Sequence, residues 1–346
     1  QDYIMPEVEL IQDHMSLSSY DTKTTYDTKI TSKSGTYETT NFDDISLDDF
    51  DEYDIDASTA SEQSVNSQEA TLNGDKLPKT FLQLHGIAIG NYNMGCNFRA
   101  ASAIRIMIQY NLTILAIQEH TPWNRTLSDA EITSIERHFD KWGYFVSISK
   151  LQILIIDKKI SACHRESKIH NDGRIIESRF AISETQNVLF LPVYGIPHSS
   201  ENDANPENEG FNENTKLMKM TELRDQLKSI LNKAQRRSDI IYVMGDLQDT
   251  PDNSNTFHYG SCRIAKHPLG IVKTCENADL LCSIYHHSEH MEKPIISRHG
   301  TKGGRFIDGT YTCIQGMEKV TGITIVKDTG INSDHDLVIS KLDLGI

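Results

Sequence analysis

From about residue 78 onward the sequence repeats one pattern, short apolar runs of strand length bounded by polar turn residues. The runs are LQLHGIAIG (82–90), LTILAIQ (112–118), YFVSIS (144–149), QILIID (152–157), NVLFLPVYG (187–195), DIIYVMG (239–245), RFIDGTYTC (305–313), GITIVKD (322–328) and HDLVISKL (335–342). Two segments have helical period instead. Ser128-Asp129-Ala130-Glu131 is a capping box that opens a helix with Ile132, Ile135 and Phe139 on one face and Gly143 past its end. A longer helix is predicted from about Asn214 to Arg237, with Leu217, Met220, Leu223, Leu227, Ile230 and Leu231 at helical spacing and Arg236-Arg237 in its last turn. Many strands with few helices predict a mixed α/β domain built on sheets, not a regular βαβ barrel. SSENDANPENEGFNEN (199–214) reads as a long surface loop.

Residues 1–77 lack this pattern. They hold 18 acidic side chains and four lysines, which accounts for 14 of the chain's 15 net negative charges; the 31 acids and 30 bases beyond them nearly cancel. Rich in Ser, Thr and Asp and poor in aliphatic residues, they cannot bury enough apolar surface to offset chain entropy. The division expected is therefore 1–77, a disordered acidic segment serving as interaction tail or solvated spacer, and 78–346, a folded domain. No apolar run approaches the roughly 18 residues needed to span a bilayer. No charged-then-apolar leader follows Gln1, so the sequence reads as an intracellular piece, nuclear or cytoplasmic, of a longer product. The six cysteines (Cys96, Cys163, Cys262, Cys275, Cys282 and Cys313) form no C-x-x-C pair and are expected as reduced thiols, and Cys282 near His286 and His287 is better explained by packing than by zinc.

The ends of the apolar runs carry residues that chemistry needs and cores do not. GIAIGNYNMG ends in Asn93, LAIQEH in Glu119 and His120, LPVYGIPH in Tyr194 and His198, and VMGDLQ in Asp246 and Gln248. GRFIDG carries Asp308, and INSDHD places Asp334 and His335 before the last run. Singly, each is an ordinary turn, cap or core residue. Their recurrence at the end of run after run is harder to explain by turns alone.

GNYNMG, IQEH, VYGIPH, GDLQDT, RFIDG and NSDHDLV stand in the order and approximate spacing of the endonuclease/exonuclease/phosphatase superfamily, which includes deoxyribonuclease I and the apurinic/apyrimidinic endonucleases, and this chain resembles that superfamily over about 80–346. The resemblance implies a four-layer α/β sandwich, two face-to-face β-sheets flanked by helices, with the site where the strand ends converge.

Phosphodiester hydrolysis requires neutralised charge on the phosphate, an in-line water and a supported leaving oxygen. Most of the candidate groups are oxygen ligands or His, which suit Mg²⁺ or Mn²⁺. Carried over by resemblance, Glu119 is the main metal carboxylate, with Asn93 beside it and Asp334 contributing through water. His335 is the base or phosphate-polarising imidazole and Asp308 its orienting partner. Asp246 positions or deprotonates the water, Gln248 donates its amide to the phosphate, and Tyr194 supplies a phenol near it. His198, Arg298, Lys302 and Arg305 are expected substrate contacts. Three departures from the family pattern stand out: Gln248 where Asn is usual, Gly309 where Tyr is common, and one extra residue after Tyr194.

The expected activity is that of a metal-dependent DNA endonuclease, a nicking enzyme most like the retrotransposon type, with a reverse transcriptase downstream in the same product. Two alternatives remain open from the sequence: a phosphatase acting on phosphoinositides or another small phosphoester, and a degenerate nucleic-acid-binding module without catalysis.

Overall fold

A computed structural model describes residues 86–95, 98–121, 125–196, 213–249, 270–288, 297–300 and 303–344. The disorder expected for 1–77 and residues 199–212 of the loop expected over 199–214 lie outside them, whereas 213 and 214 are helical. The first half of the described chain runs β1 (Ile87–Asn93), α1 (Ala100–Gln109), β2 (Ile114–Gln118), α2 (Asp129–Lys141), β3 (Tyr144–Ile148), β4 (Gln152–Asp157), β5 (His164–His170), β6 (Ile175–Ala181) and β7 (Asn187–Pro192). It continues with α3 (Glu213–Arg236), β8 (Ile240–Asp246), α4 (Ile271–Asn277), β9 (Leu281–Cys282), α5 (Ser283–Ser288), β10 (Arg298–Gly300), β11 (Gly303–Arg305), β12 (Asp308–Thr312), α6 (Ile314–Met317), β13 (Val320–Val326) and β14 (Leu337–Leu342).

Two six-stranded sheets result, in the orders β13-β14-β1-β2-β4-β3 and β5-β6-β7-β8-β12-β9. Each has one parallel pair at its centre, β1 with β2 and β7 with β8, among antiparallel neighbours. Alternation along the strands sorts side chains into layers. Ile87, Ile89, Ile114, Ala116, Leu154 and Ile156 of the first sheet pack between the sheets against Phe180, Phe190, Ile240, Tyr242 and Met244 of the second. The opposite face of the first sheet packs on α1 and α2 through Leu115, Ile117, Ile104, Met107 and Phe139. That of the second packs on α3 and α4 through Leu189, Val243, Leu227, Leu231 and Val272. The architecture is the four-layer sandwich expected from the sequence.

Local rules explain the helices. In α2 the Ser128 side chain accepts the Glu131 backbone N–H while Glu131 reaches back to the Ser128 backbone, the capping box read in the sequence. In α3 Met220, Leu223, Leu227, Ile230 and Leu231 are buried as expected, but Leu217 is 47% exposed beside an equally exposed Met218, so the buried stripe begins one turn later than the spacing predicts. No helix of the described residues is long and apolar enough to cross a membrane.

Strands β7 and β8 approach closely at the end that carries the polar residues. Gly245 has φ +149°, and a Cβ there would stand 1.9 Å from the Val193 carbonyl oxygen. A Cβ on Gly195 would meet the Leu247 carbonyl oxygen at 2.1 Å. Gly309 has a different reason to be bare, since Tyr311 and Leu247 fill the space its side chain would take. Gly245→Ala is expected to lower stability by more than about 2 kcal/mol, because neither the backbone angle nor the carbonyl contact can be relieved by a rotamer change. Urea denaturation measures this, and an unchanged midpoint would show that the two strands can separate freely.

Candidate active site

The layer between the sheets changes character along its length. On β1 the inward residues run Ile87, Ile89, Asn91, Asn93; on β2 they run Ile114, Ala116, Gln118; on β8 they run Ile240, Tyr242, Met244, Asp246. Gln152 opens β4 and Asp308 opens β12 at the same end. All of Asn91, Asn93, Gln118, Gln152, Asp246 and Asp308 are buried. The sandwich therefore has an apolar middle and one polar end. Gln118 Nε2 donates to Asn91 Oδ1 at 3.0 Å, and Gln152 Nε2 donates to the Gly173 carbonyl at 3.2 Å.

At that end further hydrogen bonds cross from one sheet to the other. Asn93 Nδ2 donates to Asp246 Oδ2 at 2.9 Å, the Tyr194 hydroxyl donates to Glu119 Oε1 at 2.7 Å, and His335 Nδ1 meets Asp308 Oδ2 at 2.9 Å. Asn93 Nδ2 also donates to Glu119 Oε1 at 2.9 Å, so one amide spans two carboxylates, while Asn93 Oδ1 accepts the Gly95 N–H. Gln248 turns back on Asp246: its backbone N–H donates to Oδ1 at 3.2 Å and its Nε2 to Oδ2 at 2.7 Å. Glu119 and Gln248 both sit in the left-handed region, at φ 53° and 51°. Such backbone is uncommon for residues with a side chain and concentrates at functional strand exits.

Antiparallel register places Asp308 directly opposite Asp246 on the inward face. Like charges so paired repel. His335 relieves this, with Nδ1 on Asp308 and Nε2 3.8 Å from Asp246 Oδ2. Burial works against the imidazolium, yet Asp308, through its hydrogen bond and charge, with Asp246 and Asp334, lifts the His335 pKa to about 9. Burial pushes Asp246 up to about 7, helped by the like charges of Asp308 and Glu119 and opposed by His335. The two shifts have one cause, the attraction between a buried imidazolium and the carboxylates around it.

The β10–β11 hairpin seals the segment that carries His335. The His299 N–H donates to the Asp334 carbonyl and the Asp336 N–H to the Ser297 carbonyl, each at 2.6 Å. Arg298 Nε donates to Asp334 Oδ2 at 2.9 Å. Burial resists ionisation of Asp334, but His335 and Arg298 outweigh it and hold its carboxyl below the usual range.

The structure thus brings Asn93, Glu119, Tyr194, Asp246, Gln248, Asp308 and His335 into one hydrogen-bonded cluster, with Asp334 and Arg298 at its side. His198, Lys302 and the side chain of Arg305 lie outside the described residues. Three contributors were not read from the sequence. Ser333 Oγ donates to the Asn93 carbonyl at 2.6 Å and accepts the His335 N–H at 3.1 Å. Ser297 Oγ accepts the N–H groups of Ile307 and Asp308 at 3.1 and 3.0 Å. Arg174 stacks on Tyr194, its Cζ 5.1 Å from the ring centroid. Ser333 adjoins Asp334 in the quoted NSDHD, whereas nothing local marks Ser297 or Arg174. Lys158 and Lys159 pair on the surface with Asp140 and Asp157.

Among the described residues one trio is geometrically open to a divalent ion. Asp246, Asp308 and His335 offer ligand atoms within 4.8 Å of one another. With Nδ1 on Asp308, His335 presents Nε2 toward Asp246, so the trio can hold either a proton or a cation. Glu119 is partly exposed and shares the Asn93 amide with the buried Asp246, an oxygen-rich pairing that suits a hard cation. Asp308 Oδ1 is buried without a hydrogen-bond partner among the described residues, which leaves a further acceptor in the cluster.

No family model matches the sequence. No curated protein matches it either. Solved structures do. An AP endonuclease from Archaeoglobus fulgidus aligns at TM-score 0.52 and 15% identity, over 74% of this chain and 99% of that one. The 3'-5' exonuclease NExo from Neisseria meningitidis aligns at 0.57 and 14%, over 74% and 100%. The AP endonuclease LMAP from Leishmania major aligns at 0.57 and 11%, over 75% and 88%. The fold is the deoxyribonuclease I-like four-layer sandwich that these structures share.

Asp308→Asn should lower the His335 pKa from about 9 by about one unit or more, since its largest support is that carboxylate. NMR titration of the imidazole Cε1–H reads this directly; an unmoved titration would place the cause elsewhere. His120 behaves oppositely. Burial lowers its pKa to about 4, the Leu151 backbone opposing. Below about 6.5 the unfolded chain takes up a proton that the folded chain refuses until about 4. Stability should accordingly fall with pH across that window, by about 1.4 kcal/mol per unit. His120→Gln should flatten that part of a pH-dependent melting curve.

Proposed function

We propose that this chain, built on the deoxyribonuclease I-like fold, is a metal-dependent phosphodiester hydrolase that nicks DNA. The observation that carries this reading is the inter-sheet cluster, in which the buried Asp246 carboxylate, the His335 imidazole with Asp308 on its Nδ1, and the partly exposed Glu119 carboxylate meet at one sandwich end. Proteins of the same fold include AP endonucleases and the Neisseria NExo 3' phosphatase bound to product DNA hairpin, which favours a nucleic-acid phosphodiester over a small phosphoester.

The roles follow from the contacts. Asp246 accepts a proton from the attacking water, its two oxygens held by the amides of Asn93 and Gln248. His335 offers Nε2–H to a non-bridging phosphate oxygen, with Asp308 fixing Nδ1 as the other donor and stabilising the charge. Tyr194 and Asn93 hold Glu119 from two sides. When bound by Glu119 with help from Asp334, a Mg²⁺ or Mn²⁺ ion would neutralise charge on the phosphate and the leaving oxygen. Arg298 holds Asp334 through Nε, and its guanidinium is proposed to meet a flanking phosphate. Lys302, Arg305 and His198 complete the proposed contacts. The retroelement assignment, with a reverse transcriptase in the same product, rests on the motif resemblance, and the gene sequence past Ile346 tests it.

Supercoiled plasmid should be converted to the open circle in the presence of Mg²⁺, and chelation of the metal should stop it. Asp246→Ala and His335→Ala should each lower the rate by at least about 10³-fold. If both variants nick as well as the unmodified chain, the assignment of this site is wrong. Phosphate release from an inositol phosphate without plasmid nicking would replace DNA by a small phosphoester.

A further inference from the structure

We infer that Arg174 is a positioning residue, acting through Tyr194 to set the carboxylate of Glu119. The inference rests on the proposed hydrolase reading but concerns a residue that reading leaves unused.

Arg174 follows a tight turn, Asn171-Asp172-Gly173, in which all three residues have positive φ. The Gly173 carbonyl is pinned into the polar layer between the sheets, accepting from Ser149 Oγ at 2.9 Å and Gln152 Nε2 at 3.2 Å. The next residue is thereby aimed at the exit of β7. Arg174 Nη1 donates to the Gly195 carbonyl at 2.8 Å and more weakly to the Tyr194 carbonyl at 3.4 Å, and the Tyr194 N–H donates back to the Arg174 carbonyl at 2.9 Å. The guanidinium lies over the Tyr194 ring. No carboxylate of the described residues pairs with it, so the ring face and two carbonyls are the partners of its charge. The Tyr194 hydroxyl donates in turn to Glu119 Oε1. The same corner meets β8, where the Gly195 N–H donates to the Asp246 carbonyl at 2.8 Å. One guanidinium thus fixes the ring plane and the backbone of the residue that bridges to Glu119.

A fork that grips two carbonyls and stacks on a ring cannot be replaced by an ammonium or a thioether. Arg174→Met is expected to lower kcat for plasmid nicking about tenfold, with KM changed less than about twofold. In a Tyr194→Phe background, which removes the hydroxyl but keeps the ring, the same change should alter kcat less than about twofold. Titration with Mn²⁺ alone, read calorimetrically, gives a second measure. Arg174→Met should weaken Mn²⁺ binding several-fold, and Tyr194→Phe should abolish that difference. Melting temperatures verify folding, and Arg174→Lys carries the same cycle if the Met variant does not fold.

A raised KM with kcat retained would overturn the inference, making Arg174 a direct substrate contact. So would additive effects in the cycle. If the unmodified chain cleaves no phosphodiester, the hydrolase reading fails, and the Mn²⁺ cycle still decides the role of Arg174.

Discussion

Two carboxylates, Asp246 and Asp308, face each other across adjacent strands inside a sandwich, with neither exposed to solvent. Left alone, two carboxylates so placed would repel each other. The rest of the polar end is arranged around that problem. His335 enters from the opposite sheet to sit against both, and the amides of Asn93 and Gln248 supply neutral donors to Asp246. A buried cluster of this kind tolerates few half-measures, since removing the cation leaves uncompensated charge in a low-dielectric interior.

The same contacts explain why the end of the sandwich closes. Face-to-face sheets are held in their middle by aliphatic and aromatic side chains, which carry no directional preference. At the polar end the hydrogen bonds Asn93–Asp246, Tyr194–Glu119 and His335–Asp308 set the distance and register of one sheet on the other. Backbone features serve that closeness. Gly195 and Gly245 let the β7 and β8 exits touch, and the left-handed residues Glu119 and Gln248 turn their side chains into the gap. Strain of this sort is affordable where the surrounding packing fixes it, and it delivers a preorganised set of charges.

Gln248 illustrates how a local substitution is absorbed. Its additional methylene, compared with the Asn usual in the resembled family, lets the amide fold back two residues and reach Asp246 at 2.7 Å. The side chain that the motif assigns to the phosphate is, in this geometry, a hydrogen-bond support for the Asp246 carboxylate. Asp249, next along the chain, accepts the Val272 N–H near the start of α4 and so ties the loop to the outer helical layer.

Much of this was legible in the sequence because strand and helix periods are local. The run QILIID gives β4 with its boundaries, and the Ser128–Glu131 box gives the start of α2. The recurrence of polar residues at strand exits gives seven members of the cluster. Strand β6 was missed because Glu177 and Arg179 break its apolar run, and only the fold reveals that Arg179 is buried among Glu166, Glu177 and Asp239. Helix α1 was missed because its start lacks a capping side chain. Sequence alone determined which residue types stand at each strand end, since that depends on order along the chain. Tertiary structure alone decided which carboxylate meets which amide, that Asp246 and Asp308 share one imidazole, and that Arg174 stacks on Tyr194. Those pairings are made across sheets and turns between residues as far as 153 positions apart, as Asn93 and Asp246 are, and no local pattern encodes them.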